Sequence, residues 1–435
     1  METYLDLKTE AEKLRRSKNY AAALPLYKQL WETHEEKRTD WDGWAYAFCL
    51  KQNRQYEQGL EICRVVYAQN RQFEPIRQVY AWCIYYSQIA VEVVQHEVNF
   101  LKAATGIVRL STQEDNFSPY VITVFKVLAY LNNKAIYPYE LVLEWTAKLQ
   151  PALLEEVPFA FTRQDGKAAT LASKKEQYYM HFTKALFASG QYDTCITYCT
   201  EALTYLKRLH YSNEIWFSRR IALSYKQLGN YKEALLQLKK LFGRKKEWFI
   251  QKEIAELYLL TGHHELAIKH ALGAALNFGE ASKKVSLFEL LAELLTLSGH
   301  KTEAAKHIAF VYVLRRTNNW RISPELQHLL AQHQLEEEKL PAVFILEKEL
   351  KQIWINLKQS MQEQLQGTIK TILPNGKAGF VICQNQKSYY FTLASLSPKN
   401  QHVATGSRVT FFLEESYDTK KDRITENAVD LRLVA

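Results

Sequence analysis

The sequence predicts a mainly α chain that ends in a small five-stranded β-barrel, and three observations predict it. Glycine and proline are scarce, at 15 and 10 of 435 residues, while aromatics reach 13%. That composition suits helices packed through large side chains better than a loop-rich sheet protein. Apolar residues recur at helical spacing through the first 366 residues, punctuated by glycines at regular intervals. From Gly367 the pattern changes to short alternating runs with turn signals between them: "GTIKTIL", "GKAGFVI", "YYFT", "GSRVTFFLEE" and "DRITENAVDLRLV".

The bulk properties narrow the function classes. A chain of 435 residues exceeds what one core organises, so domains or a repeat array are expected. Forty-seven per cent apolar and 24% charged residues suit a chain that folds nearly throughout. Fifty-six basic against 47 acidic side chains leave a net charge of +9, which favours polyanions but is spread thinly. The start, "METYLDLKTEAEKLRR", lacks the basic-then-apolar order of a secretory leader, and no run approaches the 18 apolar residues of a membrane span. A cytoplasmic protein is expected. The six cysteines read as small apolar core residues of a reducing compartment. Cys195 and Cys199 share a helix face at i and i+4, but no second Cys or His pair stands at zinc spacing, so neither metal nor cofactor is expected. No phosphate-binding glycine loop, nucleophile elbow or supported carboxylate pair appears, so no enzyme is expected.

The repeats carry the helical assignment. Segments starting at Gly190, Gly229, Gly262 and Gly299 align at intervals of 39, 33 and 37 residues, and five positions after each glycine stands a small residue: Cys195, Ala234, Ala267, Ala304. Glycine permits the left-handed ending of one helix, and the small residue lets the next helix cross closely. An amphipathic run precedes each glycine, so each unit is a helix, a tight turn and a second helix. This pattern resembles the tetratricopeptide repeat, which implies a superhelix whose groove holds a protein partner.

Weaker units open the chain. Tyr20, Ala23 and Tyr27 match the second-helix spacing, and so do Tyr56 and Gly59. The expected division is therefore tetratricopeptide-like repeats over 1–89, divergent helical pairs over 90–175, and repeats over 176–324. Capping or connecting helices follow over 325–366, and the barrel occupies 367–435. The stretch "VPFAFTRQDGKAATLASKK" is the least helical part of the middle and reads as a loop or a break. The aromatics Trp44, Tyr46 and Phe48, like Trp216 and Phe217, read as inter-helix packing. His263 and His264 read as exposed turn residues. Val343, Leu346, Leu350, Ile353 and Leu357 form a narrow apolar seam that either caps the repeats or pairs with a second copy.

The terminal strands resemble a cold-shock domain, an OB-fold barrel. The resemblance rests on Gly367, Ile369 and Lys370; on Gly379, Phe380 and Val381; on Tyr390 and Thr392; on Gly406, Val409 and Phe411; and on Asn427 and Val429. It implies a single-stranded nucleic-acid face on which aromatics stack bases while cations hold the backbone. The candidate binding residues are accordingly Lys370, Lys377, Phe380, Tyr390 and Arg423. Three stacking positions of that family are replaced, by Thr371, Ala378 and Thr392, and residues 367–435 hold nine basic against six acidic side chains, so binding is expected to be weak. Secondary basic and aromatic candidates are Arg244, Lys245, Lys246 and Trp248 in "GRKKEWF", and Arg315 and Arg316 in "RRTNNWR".

Two functions remain open. One is a non-enzymatic adapter that holds a protein partner in the repeat groove and single-stranded nucleic acid, RNA before DNA, on the barrel. The other is a purely protein–protein scaffold with a degenerate barrel; the architecture is similar to components of bacterial conflict and stress systems. An enzyme hidden in the divergent middle is the third and weakest reading.

Overall fold

The structure is a computed structural model that describes residues 3–115, 117–361, 363–398, 403–418, 421 and 423–434. The chain forms two compact units, Met1–Asn213 and Glu214–Ala435.

In the first unit the helices come in antiparallel pairs. They are α1 (Tyr4–Arg16) with α2 (Tyr20–Thr33), α3 (Asp40–Gln52) with α4 (Tyr56–Gln69), and α5 (Glu74–Ile84) with α6 (Glu97–Leu110). A π-helical turn, Tyr85–Ile89, extends α5. Capping boxes start α1 at Thr3 and Asp6 and α3 at Thr39 and Asp42, where each side chain satisfies a backbone N–H that the first helical turn leaves open. Burial works against ionised Asp42, but hydrogen bonds from Tyr4, Lys8 and Thr39 outweigh it and hold the carboxyl below its ordinary value. The turns of the first two pairs contain no glycine. Lys18 and Arg54 take the left-handed conformation instead, at φ 62° and 59°, and Ala23 and Gly59 lie buried five residues later.

The unit continues through α7 (Tyr120–Asn132) and α8 (Tyr139–Thr146). The non-helical stretch is an exposed antiparallel hairpin of β1 (Phe159–Thr162) and β2 (Ala168–Leu171), turned at Gly166 with φ 78°. The pair α9 (Lys174–Ala188) and α10 (Tyr192–Tyr205) completes it. Cys195 and Cys199 lie buried on α10 with their sulfurs 3.9 Å apart.

The second unit begins with the pairs α11 (Asn213–Gln227) and α12 (Tyr231–Arg244), α13 (Trp248–Leu260) and α14 (His264–Leu276), and α15 (Val285–Leu297) and α16 (Lys301–Thr317). Here the glycine turns occur as read from the sequence. Across the two units Gly190, Gly229, Gly262 and Gly299 have φ between 76° and 81°, and Cys195, Ala234, Ala267 and Ala304 are wholly buried. These are helix pairs of the tetratricopeptide type. His263 and His264 are exposed on their turn.

After α17 (Pro324–Gln332) comes α18 (Val343–Ser360), whose apolar seam packs on α14 and α16. Leu346, Leu350 and Trp354 are buried there, so within this chain the seam is capped. Trp354 lies parallel to Phe288 at 5.6 Å and donates its indole N–H to His307 Nε2 at 2.8 Å. Burial pushes His307 down to about 4, so its ring is neutral, with Nδ1 donating to the Glu303 carbonyl at 2.7 Å.

The barrel consists of β3 (Leu365–Ile372), β4 (Ala378–Cys383), β5 (Ser388–Thr392), β6 (Arg408–Asp418) and β7 (Arg423–Leu433). Its closed order is β3-β4-β5-β7-β6; β5 and β7 run parallel, and the other pairs are antiparallel. Ile369, Val381, Phe391, Val409, Phe411 and Leu431 fill the core. A register shift between Ile369 and Thr371 brings both Ile369 and Ile372 to that core, although residues three apart on a regular strand face opposite sides.

Candidate nucleic-acid interface

Strand pairing builds the face upward from single residues. Thr371 pairs with Phe380, Phe380 with Tyr390, and Tyr390 with Asn427, so one row crosses four strands. Phe380 and Tyr390 are half-buried and stand outside the barrel core, ring edge to ring face at 5.7 Å. The neighbours that alternate with them, Val381 and Phe391, are fully buried. Lys370 sits exposed at the register shift, and Lys377 is exposed in the β3–β4 turn, where the Asn375 side chain accepts its backbone N–H at 3.0 Å. Thr392 is exposed and Ala378 is buried, so two of the replaced stacking positions differ in access as well as in chemistry.

Arg423 is exposed at the start of β7, in register with Asp418. Four residues separate it from Asn427, which at strand rise is about 13 Å along the strand. The structure therefore brings Lys370, Lys377, Phe380 and Tyr390 together and leaves Arg423 at the far end of the β6–β7 hairpin.

That hairpin rests on helices of its own unit. Glu415 pairs with Lys239 at 2.8 Å, and Glu414 with Lys358 at 3.3 Å and Lys246 at 4.0 Å. Tyr417 lies against α12 so closely that a Cβ on Gly243 would stand 2.1 Å from the Tyr417 Cβ. Burial tends to lower Lys239, but its hydrogen bonds to Glu415 and Tyr258 outweigh that and raise it above the ordinary lysine value. A cavity of about 210 Å³ remains beside the contact, lined by Phe242, His270, Glu415, Tyr417 and Ile424 among others. His270 stacks on Tyr258 at 5.4 Å, and burial pushes it down to about 4.

The secondary candidates fall on or near this contact, or on other helix ends. Arg244 pairs with Glu214 at 3.1 Å, and Lys246 faces Glu414. Lys245 is exposed, and its backbone N–H closes the end of α12 on the Leu241 carbonyl at 2.9 Å. Trp248 is half-buried, edge-on to Phe249 and 6.0 Å from the Lys284 ammonium. Arg315 pairs with Glu289 at 2.8 Å and donates to the Arg321 carbonyl. Arg316 lies 5.7 Å from the Tyr312 ring.

Sequence reasoning missed Glu414, Glu415 and Tyr417 as docking residues; a carboxylate pair directly after the apolar run Phe411–Leu413 was the available signal. Among the described residues, no helix is long and apolar enough to cross a membrane, and no group of three or more His, Cys, Asp or Glu is placed to hold a metal.

Residues 215–343 match the model of a domain of unknown function, DUF7017. No curated protein matches the chain in sequence. Among solved structures, a thermophilic tetratricopeptide-repeat protein from Thermus thermophilus is similar at 12% identity, with 68% of this chain and 100% of that chain covered and a TM-score of 0.21. A tetratricopeptide-repeat protein from Parabacteroides merdae is similar at 10% identity over 76% and 98% of the two chains, with a TM-score of 0.29. The human IFIT1 dimer with m7Gppp-AAAA is similar at 12% identity over 82% and 80%, with a TM-score of 0.35.

Proposed function

We propose that the chain is a non-enzymatic adapter that binds single-stranded nucleic acid on its terminal barrel and a protein partner through its helical repeats. The observation that carries the nucleic-acid half is the outward row Thr371–Phe380–Tyr390–Asn427 with Lys370 and Lys377 exposed beside it. Aromatic faces accept any base, and flanking ammonium groups hold phosphates, so this arrangement favours sequence-tolerant binding. A closed five-stranded barrel with its aromatics on the second and third strands fits the cold-shock, OB-fold reading. The protein half rests on the helix pairs, since stacked pairs present extended surfaces that suit peptide or protein partners.

The test is anisotropy of a labelled single-stranded RNA at about 50 mM and about 200 mM salt, where phosphate-driven binding weakens steeply. Phe380→Ala with Tyr390→Ala removes both rings and leaves Val381 and Phe391 to hold the core. Two stacked bases at about 1 to 3 kcal/mol each imply at least about a tenfold loss of affinity in that variant. A folded double variant that binds as before sinks the barrel assignment. The scaffold reading is favoured by one observation, the docking of the β6–β7 hairpin on helices through Glu414, Glu415 and Tyr417. It takes over if the wild-type chain shows no salt-dependent binding.

A further inference from the structure

The first three helix pairs leave large aromatic side chains only half-buried. Trp44 and Phe48 on α3 stack at 5.5 Å. Across from them Tyr86 stacks on Trp82 at 5.3 Å and on Tyr56 at 4.9 Å, nearly parallel to both. Between the two columns lies a groove of about 960 Å³. Its walls come from α3 and α5, the first helices of consecutive pairs, and from the start of α4. Tyr86 is 43% exposed and Phe117, at the rim, 79%. Ala45, Ala47, Cys49 and Leu50 form the buried side of α3, and Trp44 packs one part of its ring on that core while another part lines the groove.

The charge is one-sided. Lys51 and Arg54 line the groove and no carboxylate does. Asp115, which bonds two lining residues, is engaged by the Gln78 amide at 3.2 Å and the Phe117 backbone N–H at 3.0 Å. The Lys51 ammonium stands 4.8 Å from the Phe48 ring. Arg54 holds the left-handed turn, φ 59°, that Lys18 holds in the preceding pair and glycine holds at 190, 229, 262 and 299, so glycine would relax the turn.

We propose that this groove is a second binding site for single-stranded nucleic acid: a base extends one of the aromatic columns while Lys51 and Arg54 hold the adjoining phosphates. It does not depend on the barrel site. Exposed rings at Tyr86 and Phe117, the Gln52 amide to meet a base edge, and cations without lining carboxylates are what a polyanion with planar bases requires. A volume near 960 Å³ is ample for more than one nucleotide.

The experiment uses the full chain and a fluorescein-labelled oligouridine of about eight nucleotides, with the matching DNA as a second arm. Arg54→Gly relaxes the turn, so thermal stability should hold or rise while affinity falls about tenfold; Arg54→Lys, which keeps the charge, should bind within about threefold of wild type. Trp44→Leu keeps apolar bulk, removes a stacking face, and should also cost about tenfold. The barrel double variant Phe380→Ala, Tyr390→Ala runs alongside. Losses in the groove variants alone support the groove and remove the barrel site, and losses in both sets support both. Loss in the barrel variant alone overturns the groove, as does an Arg54→Gly and Trp44→Leu pair that binds like wild type. Decaproline binding that Trp44→Leu abolishes, with RNA binding unchanged, also overturns it in favour of a polyproline peptide.

Discussion

Two sides of one barrel differ in what their outward side chains meet. On the β6–β7 hairpin, Glu414, Glu415 and Tyr417 end against lysines and a glycine of the helices. On β4–β5, Phe380 and Tyr390 end against each other, with Lys370 and Lys377 exposed nearby. The acidic residues that hold the barrel's net charge down are therefore partly consumed by docking, and in the same contact they neutralise Lys239, Lys246 and Lys358. A charge count over 367–435 understates how basic the β3–β4 side is. The position of the carboxylates, more than their number, decides which surface stays available to a polyanion.

The sharpest way to break the docked side is through the helix beneath it. Trp354→Ala removes a wholly enclosed indole, its Phe288 stack and its hydrogen bond to His307, and should cost about 3 to 5 kcal/mol in denaturant unfolding of the second unit. An unchanged unfolding midpoint would show that α18 does not hold this face. Acidification acts next. His307 is neutral when folded and its value lies near 4, below the ordinary 6.5, so the unfolded chain binds the proton more readily between those values. Its contribution is complete above about pH 6.5 and drains away as the pH falls toward 4, on the order of 3 kcal/mol for a shift of this size. His307→Gln should flatten the acid limb of the stability profile measured by urea titration, and an unaltered profile would assign the acid loss to other groups.

Gly243→Leu acts first on the docked side. Its side chain collides with Tyr417, and overpacking of this kind costs about 1 to 3 kcal/mol. Protease cleavage between α18 and β3 should speed up; equal rates in variant and wild type would mean that the hairpin contact contributes nothing to docking. The smallest effect sharpens the open side. Lys377→Ala should leave the melting temperature within about 1 °C and reduce the salt slope of RNA binding by about one unit. A slope that does not change places Lys377 outside the contact.

Much of the fold was legible because its signals are local. A glycine at a left-handed turn and a small residue at a helix crossing leave a mark that a period search finds, and four turns bear it. The first two turns hide because Lys18 and Arg54 adopt the same backbone state, and residue identity does not report φ for a lysine or an arginine. The stretch 159–171 reads as non-helical but gives no register, since its strands are short and exposed on both faces. Trp44 and Phe48 have the i, i+4 spacing of a core stripe, and they pack between helices as that spacing implies, Trp44 against the core of the first pairs and Phe48 edge-on to Tyr20 at 5.8 Å; spacing gives no sign that the same two rings also line a groove. In the barrel, alternation told Phe380 from Val381, whereas the place of Lys370 depends on a register shift that only pairing reveals. Glu414 and Glu415 are not distinguishable as docking residues in the sequence, because their partners lie far away in it, at 239 and 358.

From Phe412 to Asp418 the β6–β7 hairpin is one regular antiparallel ladder, beyond a register shift between Thr410 and Phe412. It carries Tyr417 at the helix contact, and Asn427 beside Tyr390. Seating the hairpin and filling the aromatic row therefore load the same set of backbone hydrogen bonds. Thermodynamic reciprocity follows for any ligand that prefers one state of the ladder: whatever factor seating adds to its affinity, the ligand returns to the seating equilibrium. The barrel then acts as a balance whose two pans are joined by one beam, and a change at Gly243 can be weighed at Tyr390.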